Sequence, residues 1–166
     1  MKPNVTNVII AGLGGQGVIK ASDILAEVAL RAGLDVKKAE VHGMSQRGGS
    51  VSTDVRFGEE VLSPMVPPGE ADFLVVLAAS EVEVNRPSLK PGGVLLAPDL
   101  VPEGALANRR SLNVALLGAL SAHLDVPETL FLDAVRASLP ERLHAVNEAA
   151  FAAGRAAVAA VRARPA

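Results

Sequence analysis

The sequence contains no cysteine, no tryptophan and no tyrosine, and only four phenylalanines among its 166 residues. Without cysteine the chain cannot form a disulfide bond, a zinc-thiolate site, a thiolate nucleophile or the ligands of an iron–sulfur cluster. The shortage of aromatic rings removes a base-stacking surface, and a net charge of −2 gives no general attraction for nucleic acid. Any electron relay must therefore lie on another chain, and we expect no nucleic acid ligand.

Long apolar runs are also absent, since no stretch reaches the roughly 18 residues that a bilayer span needs. The first residues contain too short an apolar run for a signal peptide, so we expect a cytoplasmic protein without membrane contact. Hydrophobic residues nevertheless make up 49% of the chain and charged residues 20%, which is the composition of a globular protein. We therefore predict a single domain that covers residues 1–166.

The N-terminal part has the pattern of a nucleotide-binding unit. Residues 5–11 form a β-branched apolar run, typical of a strand covered on both faces, and the glycine-rich sequence GLGGQG follows at 12–17. From Val18 the apolar residues recur three and four positions apart until Gly33, which predicts a helix with a glycine stop. Residues 35–41 predict a second strand that completes a βαβ unit.

The rest of the chain predicts more sheet and then helices. Alternation over 51–57 indicates a half-buried strand, and Gly58 and Glu59 predict a turn into a short partner strand at 61–62. Further strands are predicted at 73–78 and 94–97, and three helices between Asn113 and Arg162. The expected fold is a single Rossmann-like, three-layer α/β domain: a mostly parallel sheet, a β-hairpin insertion and a helical C-terminal third.

Two loops carry the candidate binding residues. In the GxGxxG loop, glycines allow close approach of the backbone, and the amides with the helix dipole favour a phosphate. The loop at 42–50, HGMSQRGGS, places Arg47 beside two glycines and could clamp an anion. The alternatives are a tight packing turn for the first loop and a solvated connection for the second. Glu40 stands near where a dinucleotide fold places its ribose carboxylate, which keeps an NAD site open.

The three histidines give no metal site. His123 and His144 lie in or near predicted helices without a second ligand at metal spacing, so we assign them packing or surface roles. His42, a loop residue, is expected to orient a neighbour rather than to act as a base. We predict no catalytic residue and no metal ligand in this chain.

Eight segments together carry a family resemblance that covers nearly the whole chain. They are IIAGLGGQGV (9–18), VHGMSQRGGSV (41–51), VRFG (55–58), LSP (62–64), ADFLV with LKPGG (71–75 and 89–93), NVALLGAL (113–120) and NEAAFAAG (147–154). The sequence resembles the γ-type domain of the 2-oxoacid:ferredoxin oxidoreductases, and within them the small subunits that act on indolepyruvate. It departs from the family at 99–112, a stretch shorter than usual there.

The resemblance implies oxidative decarboxylation of a 2-oxoacid with coenzyme A (CoA) to acyl-CoA, CO₂ and reduced ferredoxin. Thiamine diphosphate, Mg²⁺ and [4Fe–4S] clusters would belong to a larger partner subunit, which also meets ferredoxin. The chain would then be inactive alone and part of a hetero-oligomer. It would help form the CoA site with Gly12, Gly14, Gly15, Gln16, Gly17, Ser45, Gln46, Arg47, Gly48 and Gly49.

Two other functions stay open. A stand-alone NAD-dependent Rossmann oxidoreductase is suggested by the glycine loop and Glu40, although 166 residues leave little room for a catalytic domain. A non-catalytic nucleotide- or CoA-binding module is the second alternative.

Overall fold

A five-stranded mixed sheet organises the computed structural model, which describes residues 4–42 and 48–165. The strands are β1 (Val5–Leu13), β2 (Asp35–His42), β3 (Ser50–Gly58), β4 (Ala71–Val76) and β5 (Leu89–Leu96). Their order is β2-β3-β1-β4-β5. Strands β1, β4 and β5 run parallel, whereas β3 is antiparallel to both of its neighbours, β1 and β2. The predicted α/β class with a mostly parallel sheet is confirmed.

Helices follow the first strand and fill the C-terminal third, as predicted. They are α1 (Val18–Arg31), α2 (Val82–Asn85), α3 (Leu112–Ser121), α4 (Glu128–Ser138) and α5 (His144–Arg162). Helix α1 is followed by Gly33, whose φ of 77° supplies the left-handed stop expected from the sequence. A 3₁₀ turn, Glu141–Leu143, separates α4 from α5 and follows Pro140, which cannot continue a helix.

The main core lies between one face of the sheet and the helices α1, α3, α4 and α5. Alternate residues of β1, Val8 and Ile10, are fully buried there, and the rings of Phe131 and Phe151 pack 5.6 Å apart. The other face is covered differently. Ile9 belongs to a smaller cluster that Val66, Val82 and their neighbours complete. The second covering layer therefore consists of the segment 59–70 and the short helix α2.

The predicted turn at Gly58 and Glu59 is wrong, because residues 61–62 form no strand. The hairpin is instead made by β2 and β3, with β3 as an interior strand. The segment after β3 crosses the sheet face and is held by side chains of that strand. Asp54 accepts a hydrogen bond from the Val66 amide at 2.9 Å, and Arg56 donates to the Ser63 carbonyl at 2.8 Å. Polar residues of β3 that local alternation marks as solvent-facing thus bind a returning loop.

Two aspartates of this region should respond to pH with opposite signs. Burial raises the pKa of Asp54, despite the Val66 amide and Arg56, so its ionisation weakens the fold as pH rises above about 4. The Val61 amide, and then Lys37, lower the pKa of Asp35, so its ionised form supports the fold above about pH 4 and this support is lost on acidification. From pH 3 to pH 7, the Tm of Asp54→Asn minus the Tm of wild type should increase. The same difference for Asp35→Asn should decrease. Parallel trends would contradict this assignment.

Helices α3 and α5 approach each other at two glycines. A Cβ on Gly118 would lie 2.1 Å from the Phe151 carbonyl oxygen, and a Cβ on Gly154 would lie 1.7 Å from the carbonyl oxygen of Ala115. No side chain fits at either point. The backbones of these helices are therefore in direct contact, which fixes α3 against α5.

Candidate functional site

The candidate site lies where the chain leaves the sheet in two directions. After β1 the chain passes through α1 on the main helical face to β2, while after β4 it passes through α2 to β5 on the other side of the sheet. In open α/β sheets ligands bind at such a switch point, outside the carboxyl ends of the strands. A cleft of about 660 Å³ is found there. Its lining residues are Gly15, Gln16, Gly17, Leu77, Ala79, Pro98, Arg109, Arg110, Leu112 and Asn113.

The glycine loop forms one wall of this cleft and exposes backbone donors. Gly15 and Gly17 have φ values of 88° and 84°, a region that residues with a Cβ rarely adopt. Within the described part of the chain, neither amide has a hydrogen-bond acceptor. Gly17 also caps α1 without a side-chain bond, which leaves the first amides of that helix unpaired. Unpaired amides at a helix start suit an anionic group such as a phosphate.

Gln16 has a structural role in addition to lining the cleft. Its side-chain oxygen accepts the Leu13 amide at 2.7 Å, and its side-chain nitrogen donates to the Leu77 carbonyl at 3.3 Å. It therefore joins the ends of β1 and β4. Gly12 lies outside the cleft lining, because a Cβ there would meet Gln16, Leu77 and Val18 at 2.9 to 3.0 Å. The structure places Gly12 in close packing behind the loop.

The second candidate loop is described only in part: Ser45, Gln46 and Arg47 lie outside the described residues. Gly48 and Gly49 are described, and they meet the first loop. The Gly14 amide donates to the Gly49 carbonyl at 2.9 Å, and a Cβ on Gly14 would lie 3.3 Å from the Gly48 nitrogen. The two loops therefore meet, although at antiparallel neighbours: β3 lies between the parallel strands β1 and β2.

The opposite wall of the cleft contains two arginines that the sequence analysis missed. Arg109 and Arg110 form a 3₁₀ turn just before α3, and both side chains are exposed. Asn113, in the first turn of α3, donates from its side chain to the Gly17 carbonyl at 3.3 Å and so joins the two walls. Two consecutive arginines directly before a predicted helix were the available signal. The absence of a clear period over residues 99–110 concealed it.

The acid expected for an NAD site lies elsewhere. Glu40 is opposite Thr53 in the β2–β3 ladder, and its carboxylate is 3.3 Å from the Lys38 ammonium. It does not line the cleft, and β3 separates its strand from β1 and the glycine loop. In a dinucleotide fold the corresponding strand is the neighbour of β1, which brings the acid close to the ribose. The interior position of β3 removes that geometry.

His123 and His144 are held in packing contacts away from the cleft. The ring of His123 packs at a tilted angle against Phe73, with the ring centroids 5.8 Å apart, and accepts a hydrogen bond from Arg162 at 3.2 Å. Burial and then Arg162 lower the pKa of His123. His144 contacts the Leu139 carbonyl at 2.8 Å, between α4 and α5. Across the described ranges, no three His, Asp or Glu residues converge as a metal site, and no helix is long and apolar enough to cross a membrane.

Relatives of this chain are found at both the sequence and the structure level. Residues 7–159 match the family model described as pyruvate ferredoxin/flavodoxin oxidoreductase. The indolepyruvate oxidoreductase subunit IorB of Methanothermobacter thermautotrophicus is 34% identical, over 92% of this chain and 97% of that protein. The IorB subunit of Thermococcus kodakarensis is 52% identical over 54% of this chain, and the match spans only 44% of that protein.

Solved structures show the same fold. The 2-oxoglutarate:ferredoxin oxidoreductase of Magnetococcus marinus, determined with 2-oxoglutarate, coenzyme A and succinyl-CoA bound, superposes with a TM-score of 0.81 at 26% identity. That match covers 96% of this chain and 32% of the other. The γ subunit of a keto/oxoacid ferredoxin oxidoreductase from Geobacter sulfurreducens gives a TM-score of 0.79 at 24% identity, over 95% and 98% of the two chains. This chain belongs to the pyruvate ferredoxin/flavodoxin oxidoreductase family.

Proposed function

We propose that this chain is the small, cluster-free and thiamine-free subunit of a 2-oxoacid:ferredoxin oxidoreductase, and that it contributes part of the CoA site. The substrate would be indolepyruvate, after which the IorB relatives are named, or another aryl-pyruvate. The reaction converts the 2-oxoacid, CoA and two oxidised ferredoxins into acyl-CoA, CO₂, two reduced ferredoxins and a proton. As thiolate ligands are lacking, the electrons pass through clusters on a larger partner subunit.

The observation that carries the proposal is the cleft at the ends of β1 and β4. Its walls offer the unpaired amides of Gly15 and Gly17 on one side and two guanidinium groups on the other. CoA is a polyanion with a pyrophosphate and a phosphomonoester, so it matches this lining. A volume of about 660 Å³ also falls within the range of about 300–1,000 Å³ that small-molecule sites have.

The remaining residues assigned from the family resemblance stay part of the proposal. Gly14, Gly48 and Gly49 hold the second loop against the first, so Ser45, Gln46 and Arg47 would extend the anion site from that loop. Gly12 and Gln16 would support the cradle from behind and from the side. Thiamine diphosphate with its Mg²⁺ would reside on the partner subunit, in a cytoplasmic hetero-oligomer.

The reaction chemistry assigns this chain a binding role and no step of its own. The electron sink for decarboxylation would be supplied by thiamine diphosphate bound to the partner subunit. The present chain would hold the nucleotide end of CoA by backbone amides and guanidinium groups, which fixes the direction from which the thiol enters. Its contribution is therefore orientation of the second substrate, an effect that appears in the KM for CoA.

The test compares two glycines that have the same backbone conformation. Gly15 and Gly33 have φ values of 88° and 77°, and a Cβ on either meets no atom within 4 Å, so alanine has a similar backbone cost at both positions. In the complex purified through a tag on this chain, Gly15→Ala should raise the KM for CoA about tenfold or more, because its Cβ stands in the cleft. Gly33→Ala, outside the cleft, should leave that KM unchanged.

Measurements with each substrate also distinguish the proposed function from its alternatives. The KM for the 2-oxoacid should stay constant in both variants, since the partner's thiamine pocket reads that substrate. An unchanged CoA KM in Gly15→Ala would remove the glycine loop from the CoA site. Viologen reduction from a 2-oxoacid by the chain without its partner would overturn the subunit proposal, and NADH binding without CoA binding would favour the dehydrogenase alternative.

A further inference from the structure

The turn at Arg109–Ser111 is fixed by hydrogen bonds of its own. The side chain of Asn108 accepts the Arg110 amide at 2.9 Å, and the Ser111 amide and hydroxyl donate to the Asn108 carbonyl at 3.0 and 2.5 Å. Ser111 is buried against the core, and α3 begins at the next residue. The backbone that carries the two arginines is therefore held in place before any ligand arrives.

Neither arginine of this turn has a carboxylate partner in the described part of the chain. Other arginines are neutralised: Arg86 is paired with Glu83 at 2.8 Å, and Arg136 with Glu148 at 2.5 Å. Glu103 lines an adjoining depression of about 310 Å³ together with Arg109, but the two form no ion pair. Two adjacent cations at a cleft thus remain without a counter-charge, an arrangement that an anionic ligand stabilises.

The donors of the cleft come from two separate segments of the chain, the glycine loop and the turn before α3. The amides of Gly15 and Gly17 and the start of α1 already offer a site for a pyrophosphate on one wall. Arg109 and Arg110 line the cleft from the turn before α3, and the Asn113–Gly17 hydrogen bond joins that segment to the glycine loop. A ligand with a second anionic group besides its pyrophosphate can contact both segments at once. Arginine pairs suit a phosphomonoester, because the planar guanidinium binds two of its oxygens at once.

We propose that Arg109 and Arg110 bind a phosphomonoester on the ribose of the nucleotide, and thereby select CoA over dephospho-CoA. The inference rests on the proposed function and adds the residues that determine its specificity. The same chemistry is present in the 2′-phosphate of NADP, so the test must separate the two sources. Because the contact is charge-assisted and exposed, it should weaken as ionic strength rises.

The test is a calorimetric titration of the complex, purified through a tag on this chain, with CoA, dephospho-CoA, NADP and NAD. Wild type should bind CoA about tenfold or more tightly than dephospho-CoA, which is the discrimination of one charge-assisted contact. NADP and NAD should not differ. The double variant Arg109→Ala/Arg110→Ala should lose the preference for CoA while its affinity for dephospho-CoA changes less than about twofold. Arg142→Ala is the matched control, because Arg142 is exposed, lies outside the cleft and has no ion pair among the described residues.

The outcomes separate the inference from the function on which it rests. Equal binding of CoA and dephospho-CoA by wild type, or equal loss of both in the double variant, overturns the role of the arginines and leaves the CoA site standing. A preference for NADP over NAD reassigns the cations to a 2′-phosphate. Absence of CoA binding to wild type overturns the proposed CoA contribution of this chain, and the inference with it.

Discussion

Replacing Gly154 by alanine should lower the Tm by about 6–12 °C, the shift that a loss of about 3 kcal/mol produces in a chain of this size. The added Cβ would lie 1.7 Å from the carbonyl oxygen of Ala115, a backbone atom that no side-chain rotation can move. The helices α3 and α5 must then separate. Since Phe151 and Leu116 are fully buried along these helices, separation also loosens the packing around them.

The sign of this effect is diagnostic, because helix propensity acts in the opposite direction. In a helix interior alanine is about 1 kcal/mol more favourable than glycine, so a Gly154→Ala change without a steric conflict would stabilise the protein. Ala156→Gly, an exposed position on the same helix, measures this intrinsic exchange and should cost about 1 kcal/mol. Thermal unfolding followed by circular dichroism gives both values. An unchanged or higher Tm for Gly154→Ala would contradict the close helix contact.

The Gly17→Ala variant should lose both stability and CoA affinity. Alanine at a φ of 84° costs about 1–2 kcal/mol by itself. In addition, its Cβ would lie 2.5 Å from the side-chain nitrogen of Asn113, which is buried and bonded to the Gly17 carbonyl. Displacing Asn113 breaks that bond and disturbs both walls of the cleft. We expect a total loss of about 3 kcal/mol and a CoA affinity reduced about tenfold or more.

Gly33→Ala is the control, since Gly33 has a similar positive φ and open space around its would-be Cβ. The excess destabilisation of Gly17→Ala over Gly33→Ala, measured by urea unfolding, reports the contact with Asn113 alone. Equal free energies of unfolding in the two variants would show that Asn113 moves away at no cost, and the proposed connection between the walls would then be wrong.

Local patterns were sufficient where an element's environment is set by its own residues. The strand, glycine loop and helix from Val5 to Arg31 follow from an apolar run, a glycine motif and helical spacing, and the structure has them in place. The C-terminal helices were likewise marked by spacing and by Pro127 and Pro140. These signals are local, so no knowledge of the remaining chain was needed.

Long-range pairing could not be obtained in this way. Nothing local to β3 indicates that it inserts between β1 and β2, since its pairing partners are up to 53 positions away, as between Val5 and Gly58. The position of Arg109 and Arg110 in the cleft could not be predicted for the same reason. Their turn meets the glycine loop through tertiary contacts of α3, whose Asn113 donates to the Gly17 carbonyl, and these contacts leave no local signal in the sequence.

The bond between Asn113 and Gly17 joins residues 96 positions apart and thereby couples ligand binding to the folding of distant parts of the chain. The sheet and the glycine loop belong to the first part of the chain, whereas the arginine wall arrives with the C-terminal helices. A ligand that spans both walls therefore binds only the conformation in which these helices are docked. By mass action, each increase in the ligand concentration above Kd favours docking. Ligand occupancy of the cleft and the stability of the docked C-terminal third therefore increase together.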